Sequence, residues 1–450
     1  MARSMPAYEH PVGAHLSART LIDILGRGAD LLAKVRLGRF TGSAITFGRG
    51  GLPSFGYTFL SRASLRHAEQ LLLGDTAGVR DEVGFLLVHQ RYADRFFPGT
   101  SVLHTRLRYS LFVPWILERL RANGEGGAKF IDALRREETA LAERLKGESY
   151  GVIGRLMLPE ASNQPPSYVY WTALATWGLV DRKPNGRGWS RSDLGALLAA
   201  GSAKTLKDDD GRPLTTSIWP VAEVPEPPDD WSATTPLQFD LLPKERRHLA
   251  KLLRATRSQR DGDGPSLLAK LIGSSVASSR ACWDPAVLRA AGVPYQATLD
   301  RAGRAASLAA IGRGVYAALV EEQKERDGRA VGRKHRDALR GALEDHSEQA
   351  AALDGDLLIS DLQPDLPPAV EEVLRRTLKW VRSGKQDPSE LLATYRRAEI
   401  KRKGPRARLA EEQRGIDRRI EWSAGDHPLP DPLHYRWDQV RLMLRDLEGA

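Results

Sequence analysis

Residues 167–192 read SYVYWTALATWGLVDRKPNGRGWSRS, and the fold assignment turns on how that stretch is punctuated. Ser167 can cap a helix over YVYWTALATWG, because a hydroxyl at that position accepts a bond from an otherwise unpaired first-turn amide. Gly178 closes the helix, residues 179–182 then have strand character, and Pro184-Asn185-Gly186 has the composition of a hairpin turn. Residues 188–190 return as a second strand, and a further helix starts at Ser192.

A charged amphipathic helix over 128–146 precedes the stretch, so the order becomes helix, helix and two-stranded wing, which is that of a winged helix-turn-helix. The expected fold class is therefore mainly α: a multi-domain helical protein with an embedded winged helix-turn-helix-like module. Tyr168, Thr172 and Thr176 are the recognition-helix candidates, and Arg182, Lys183, Arg187 and Arg191 lie on or beside the wing as nucleic-acid contacts. That helix carries no Lys or Arg, and Tyr170, Trp171, Leu174 and Trp177 make it strongly apolar. Docking onto another protein is thus an equally open use of the module.

Working outward, residues 1–54 are rich in Gly and Arg and end in FGRGGLPSFG, the composition of a flexible leader. Residues 55–146 read as a helical domain, with helical spacing from Phe59 through Leu73 and again around Val83 to Phe96. In FFPGTSVLHTRLRYSLFVPWILERL, Thr100 or Ser101 is a potential cap for a buried helix that Pro114 would kink. The module occupies 147–215, and a Pro-rich acidic linker or surface crossover follows over 216–236. A helical domain with an acidic end spans 237–372, opened by a basic helix with Pro243 near its N-terminus. A basic helical region completes the chain over 373–450.

The charge is polarised. The 450 residues hold 67 Lys and Arg against 57 Asp and Glu, a formal +10. Residues 343–373 hold nine carboxylates and no Lys or Arg, whereas 375–408 hold twelve Lys and Arg against Asp387, Glu390 and Glu399. Within the latter, Lys379, Arg396, Arg397, Lys401, Arg402, Lys403, Arg406 and Arg408 are the candidate phosphate contacts, with Trp380 and Tyr395 as rings that could stack on bases. The acidic block could pair with this surface or compete with phosphate for it.

Hydrophobic residues make up 41% of the chain, enough for real cores. The single cysteine, Cys282, rules out an internal disulfide framework and points to a reducing, cytoplasmic setting. No apolar run approaches the roughly 20 residues that cross a bilayer, and no membrane association is expected. The basic amphipathic segment 21–37 reads as an ordinary surface helix.

Catalytic signatures are sparse. There is no phosphate-cradling Gly-x-x-x-x-Gly-Lys-Ser/Thr loop, no His-Glu-x-x-His helix and no Gly-x-Ser-x-Gly elbow. No catalytic residue, metal site or cofactor is expected. Asp387 with Glu399-Ile400-Lys401 has the spacing of a metal-dependent nuclease, but helical periodicity there argues for coincidence. Asp354, Asp356 and Asp361 are the carboxylates from which a nuclease site could otherwise be assembled. His89 and His104 read as core histidines, while Asp94, Arg95, Arg106 and Arg108 read as buried ion pairs rather than a polyanion pocket.

Three segments, RYADRFFPGTSVLHTRLRYSLFVPWILERL, YGVIGRLMLPEASNQPPSYVYWTALATWGLV and the terminal HYRWDQVRLMLRDLEG, together resemble an uncharacterised bacterial family carried as a domain of unknown function. The resemblance spans about 55–450. It implies no activity, and it implies only a genomic neighbourhood, beside helicases, nucleases and methyltransferases of anti-phage defence. With the basic surfaces, it leads to the expectation of a non-enzymatic, DNA-binding accessory or scaffold protein partnered by a helicase or nuclease. A metal-dependent nuclease subunit and a docking subunit without nucleic-acid contact are the alternatives.

Overall fold

The computed structural model describes residues 82–202, 219–232, 235–258, 264–385 and 387–449, all within the compact unit Ala77–Ala450. The expected leader over 1–54 and the helical spacing from Phe59 to Leu73 lie outside the described residues. These residues contain sixteen α-helices and five short 3-10 turns, and their only β-pairing is in isolated bridges.

The first helices follow the apolar spacing. Helix α1 (Phe85–Phe96) buries Phe85, Val88, Tyr92 and Phe96 on one face. Helix α2 (Tyr109–Ala122) is buried over most of its surface and accommodates Pro114 internally. Thr100 and Ser101 do not cap it. Their hydroxyls instead bond within the preceding loop, to the Phe97 carbonyl and from the Leu103 amide. Ion pairs from Arg106 and Arg108 to Asp446 and Glu245 hold the end of that loop, and they delay the helix start to Tyr109. Helix α3 (Phe130–Leu145) turns back against α2.

In the module region, the expected single recognition helix is two short ones, α4 (Pro166–Val169) and α5 (Trp171–Thr176). They meet at Tyr170, which is fully buried and donates its hydroxyl to the Arg106 carbonyl at 2.8 Å. Helix α6 (Arg191–Ser202) follows the wing region. The wing itself reduces to a tight turn with one bridge, Arg182 to Gly188, while Val180 pairs with Val221 of the Pro-rich segment. The described part of that segment is a surface-hugging crossover. Trp231 stacks on Phe112 at 5.8 Å, and the Trp115 indole donates to the Pro225 carbonyl at 2.9 Å. The mainly helical class therefore holds, whereas a full winged helix-turn-helix is not seen among the described residues.

Helix α7 (Pro243–Arg254) begins with Pro243, as its fixed φ allows, and Glu245 accepts the Leu242 amide at 3.0 Å. Short helices α8 (Leu267–Leu271) and α9 (Pro285–Ala291) lead to α10 (Val293–Arg326), 34 residues long and the axis of the unit. Residues 302–320 of α10 are rich in Ala and Gly, so neighbours approach on every side. A Cβ at Gly312 would lie 2.0 Å from the Phe85 ring, which occupies that space. Helix α11 (Lys334–Ala351) returns along α10, and α12 (Gly355–Leu362), α13 (Pro368–Arg382) and α14 (Leu392–Lys403) follow. Helix α15 (Gln413–Glu421) packs against α10, and the segment entering α16 (Trp437–Glu448) closes back onto α1 and the loop after it. There Tyr435 packs on Tyr92 at 5.3 Å and Trp437 on Phe97 at 5.8 Å. Truncating one such fully buried ring would cost about 3–5 kcal/mol. Among the described residues no helix is long and apolar enough to cross a membrane.

Candidate nucleic-acid interface

The wing-like turn is built by short-range polar bonds. Lys183 donates its backbone amide to the Arg187 carbonyl at 2.8 Å, while the Asn185 side chain accepts the Arg187 amide at 3.1 Å. Gly186, at φ +77°, supplies the left-handed step that the turn requires. Lys183 pairs with Asp193 at 2.8 Å and lies over the Trp189 ring at 5.0 Å. This contact, with bonds from Ser190, holds the Asp193 carboxyl down at about 2. Arg191 donates to the Ser167 hydroxyl at 3.2 Å and covers the Tyr168 ring. Arg182 and Arg187 are exposed, and Arg182 reaches only the Gly186 carbonyl, at 3.4 Å. The helix expected to read bases is spent on the core: Ala173, Leu174 and Trp177 are buried, leaving Tyr168 and Thr172 exposed.

The C-terminal basic stretch forms the pair α13 and α14. In α13, Val370, Val373, Leu374, Thr377, Leu378 and Val381 face the core, which leaves Arg375, Arg376, Lys379 and Arg382 outward. Several of its charges are met internally. Arg375 bonds Glu371 and Asp356, each at 2.8 Å, and Arg397 bonds Glu372 at 2.6 Å across the two helices. Arg396 pairs with Glu411 and donates to the Leu409 carbonyl at 2.8 Å. Lys403 pairs with Glu82, which Arg408 also meets at 3.3 Å. Arg382 donates to the Ala351 and Leu353 carbonyls, and Lys385 pairs with Glu390. Arg402 is exposed, with its basicity lowered by partial burial.

The side chains of Lys379, Lys401 and Arg406 remain exposed with no bond or ion pair among the described residues. Arg376 shares that state. The sequence did not single it out among the phosphate contacts, although the apolar spacing of α13 places it on the same outward face. Trp380 and Tyr395, expected as stacking platforms, are buried at 4% and 0% exposure, so they cannot meet bases. The Trp380 indole donates to the Asp387 carbonyl at 3.0 Å, and Tyr395 shares a hydrogen bond with Thr377 at 2.8 Å. Their spacing fits the apolar face of each helix, and that periodicity outranks mere proximity to cations.

The carboxylates considered for a nuclease have structural uses. Asp354 caps α12 by accepting the Asp356 and Leu357 amides. Asp356 pairs with Arg375, while Asp361 accepts from Tyr92 at 2.7 Å, Arg95 at 2.8 Å and Arg301 at 2.5 Å. Glu399 is fully buried, accepts the Tyr316 hydroxyl at 2.6 Å and the Leu409 amide at 2.8 Å, and is raised above the usual carboxylate range by that burial. Asp387 instead caps the 3-10 turn Pro388–Leu391. No group of three or more His, Cys, Asp or Glu able to hold a metal occurs among the described residues.

The remaining candidates make structural contacts, buried at Arg108, His89 and His104 but exposed at Asp94. Arg106 pairs with Asp446 at 2.8 Å and Arg108 with the fully buried Glu245 at 2.9 Å; Asp94 meets Arg436 at 2.7 Å. His89 and His104 are buried, which depresses each to about 3. His104 stacks on Tyr170 at 4.2 Å, a neutral ring packed in the core.

These features belong in part to a stretch that other chains share. Residues 60–252 match the model of DUF6361, a family of unknown function. The match covers α1 to α6 and most of α7, including the first two segments that carry the resemblance. The terminal HYRWDQVRLMLRDLEG and the α13–α14 pair lie beyond it. Among the structural features inside the matched region are Tyr170, the wing-like turn and the Arg108–Glu245 pair. No curated protein and no solved structure matches the chain.

Proposed function

We propose that the protein is a non-catalytic DNA-binding accessory or scaffold protein that holds the phosphate backbone through two exposed basic surfaces. One is the wing-like turn with Arg182 and Arg187. The other is made by α13, α14 and the 3-10 turn that follows, with Arg376, Lys379, Lys401 and Arg406. The observation that carries the reading is the set of five cations, Arg187, Arg376, Lys379, Lys401 and Arg406, whose side chains are solvent-exposed and bonded to nothing among the described residues. A phosphate meeting them displaces counterions rather than internal partners, so binding gains the full counterion entropy. With the nearby aromatic rings buried, recognition would follow the backbone and not the sequence. The resemblance to the uncharacterised family adds a setting for such a protein, beside a helicase or nuclease of anti-phage defence.

Salt titration of duplex binding by the full chain tests this. Affinity should fall steeply with salt, and in Arg376→Gln/Lys379→Gln/Lys401→Gln/Arg406→Gln the log–log slope should flatten by about 0.9 for each phosphate that is no longer neutralised. Salt-independent binding, or an unchanged slope in that variant, defeats the proposal. A docking role is the second reading, favoured by Tyr150, Leu156 and Tyr168, which are 56%, 82% and 52% exposed around one short segment. It becomes the better reading if purified protein ignores all nucleic acids.

A further inference from the structure

We propose that the turn joining α10 to α11 is an additional phosphate-binding surface, made by Arg329, Arg333 and Arg340 and shaped for nucleic-acid backbone; this rests on the DNA-binding reading above. Residues 324–340 hold seven Lys and Arg against Glu325, Asp327 and Asp337. What matters is the direction in which the fold spends those charges.

The carboxylates near the turn are largely consumed by its scaffold. Glu321, fully buried, accepts the His335 and Arg336 amides at 3.0 Å each, which fixes the first turn of α11. Arg336 bonds Glu325 at 2.7 Å. Asp327 is gripped by Arg419 through two bonds of 2.6 and 2.8 Å, and Arg419 also donates to the Ala410 carbonyl at 2.7 Å. Lys334 donates to the Ala424 and Gly425 carbonyls, and Lys324 to that of Trp422. The loop is thereby stitched to residues 408–425 and held in one shape.

The cations not used in this stitching point outward. Arg329 is exposed, and its side chain makes no bond or ion pair among the described residues. Arg333 and Arg340 flank the exposed carboxylate of Asp337 at 3.8 and 3.6 Å, long contacts between half-exposed groups that contribute little. Arg326 is exposed too, but Glu322 and Asp387 lie within its electrostatic range, so it is left out of the contact set. A turn whose backbone need not be ordered on binding, and which presents several guanidinium groups, suits phosphate, to which Arg can donate two parallel bonds. Trp422, the aromatic ring nearest the stitching, is buried, so base stacking is not offered.

The test compares full-length wild type, Arg329→Gln/Arg333→Gln/Arg340→Gln and the four-fold α13–α14 variant, titrating a 30-base-pair duplex (a length on the order of three helical turns) over a range of salt. The triple variant should bind about tenfold or more weakly at low salt, with a slope flatter by about 2–3. Arg329→Gln alone, which removes no bond of the fold, should keep the wild-type melting temperature and flatten the slope by about 0.9. If wild type binds DNA and both turn variants match it in affinity and slope, the turn does not meet the duplex and only this proposal falls. If wild type does not bind duplex, the DNA-binding reading falls and takes this one with it. Tighter retention of poly-glutamate than of duplex, abolished in the triple variant, would assign the turn to an acidic protein and overturn the nucleic-acid assignment.

Discussion

The wing-like turn over 182–191 and the basic stretch over 375–408 are both rich in cations, yet folding engages their charges to different extents. In the first, the apolar helix before the turn is drawn into the core at Tyr170, Leu174 and Trp177, while Arg182 and Arg187 stay in solvent. In the second, Arg375, Arg396, Arg397, Lys403 and Arg408 have carboxylate partners, and Arg382 has backbone carbonyls. A twelve-cation stretch thus presents a far smaller free charge than its sequence suggests. A basic run measures a binding surface only after internal acceptors have been subtracted.

The sharpest way to break that distinction is to remove a cation the fold has consumed. Arg419, 3% exposed at its side chain, holds Asp327 and the Arg408 and Ala410 carbonyls. Arg419→Ala leaves Asp327 and those carbonyls without their partner, and should cost about 3–5 kcal/mol in denaturant unfolding. A cost below about 1 kcal/mol would mean that a buried arginine here is no different from a surface one.

The next largest effect concerns how the wing-like region is anchored. Glu138 of α3 is 3% exposed and accepts the Ser167 amide at 2.5 Å, beside a cavity of about 10 Å³ with room for a single water. Burial raises its carboxyl from 4.5 to about 7, against opposing pulls from Ser167, Arg191 and Arg135. Because the folded state holds this proton more tightly, its stabilising contribution is complete below pH 4.5 and is lost as pH rises toward 7. Glu138→Gln should therefore match wild type at acid pH and exceed it by on the order of 1–3 kcal/mol at pH 8. Parallel stability curves for the two proteins across that range would refute the assignment.

A smaller effect separates core from surface within α13. Trp380→Phe removes the bond to the Asp387 carbonyl and some buried volume, for a destabilisation of about 1–2 kcal/mol. DNA affinity measured on the folded fraction should not change, since the ring never reaches solvent. A selective drop in single-strand binding at full stability would restore the stacking role.

Helical class and most helix positions are legible in the sequence because apolar spacing records which face meets the core. The spacing of α1, α3 and α13 is of that kind. The long-range partners are not legible: Arg106 with Asp446, Arg95 with Asp361 and Arg397 with Glu372 depend on how distant helices meet, which no local pattern encodes. Tyr170 illustrates the same limit. The sequence runs a single helix through it, whereas its hydroxyl accepts the Thr105 and Arg106 amides at 3.1 and 3.2 Å and ties that helix to the loop before α2. The outward cations of the α10–α11 turn are hidden in the sequence because seven positive charges are mixed with three negative ones, and only the fold shows which are spent.

The smallest expected change in stability is also the one that most directly joins structure to the proposed function. Arg187 sits at the tip of the wing-like turn, exposed, with its backbone amide held by Asn185 and its guanidinium bonded to nothing among the described residues. Arg187→Gln should alter unfolding free energy by less than about 0.5 kcal/mol, because the guanidinium holds nothing in the fold. Its effect on duplex binding should appear in the salt slope, flatter by about 0.9 if the guanidinium meets one phosphate. Lys183→Gln is the internal control, since it removes a cation already engaged with Asp193 and Trp189. A slope change in Lys183→Gln equal to that in Arg187→Gln would show that internal pairing does not withdraw a cation from binding, and the distinction between spent and free charge would fail.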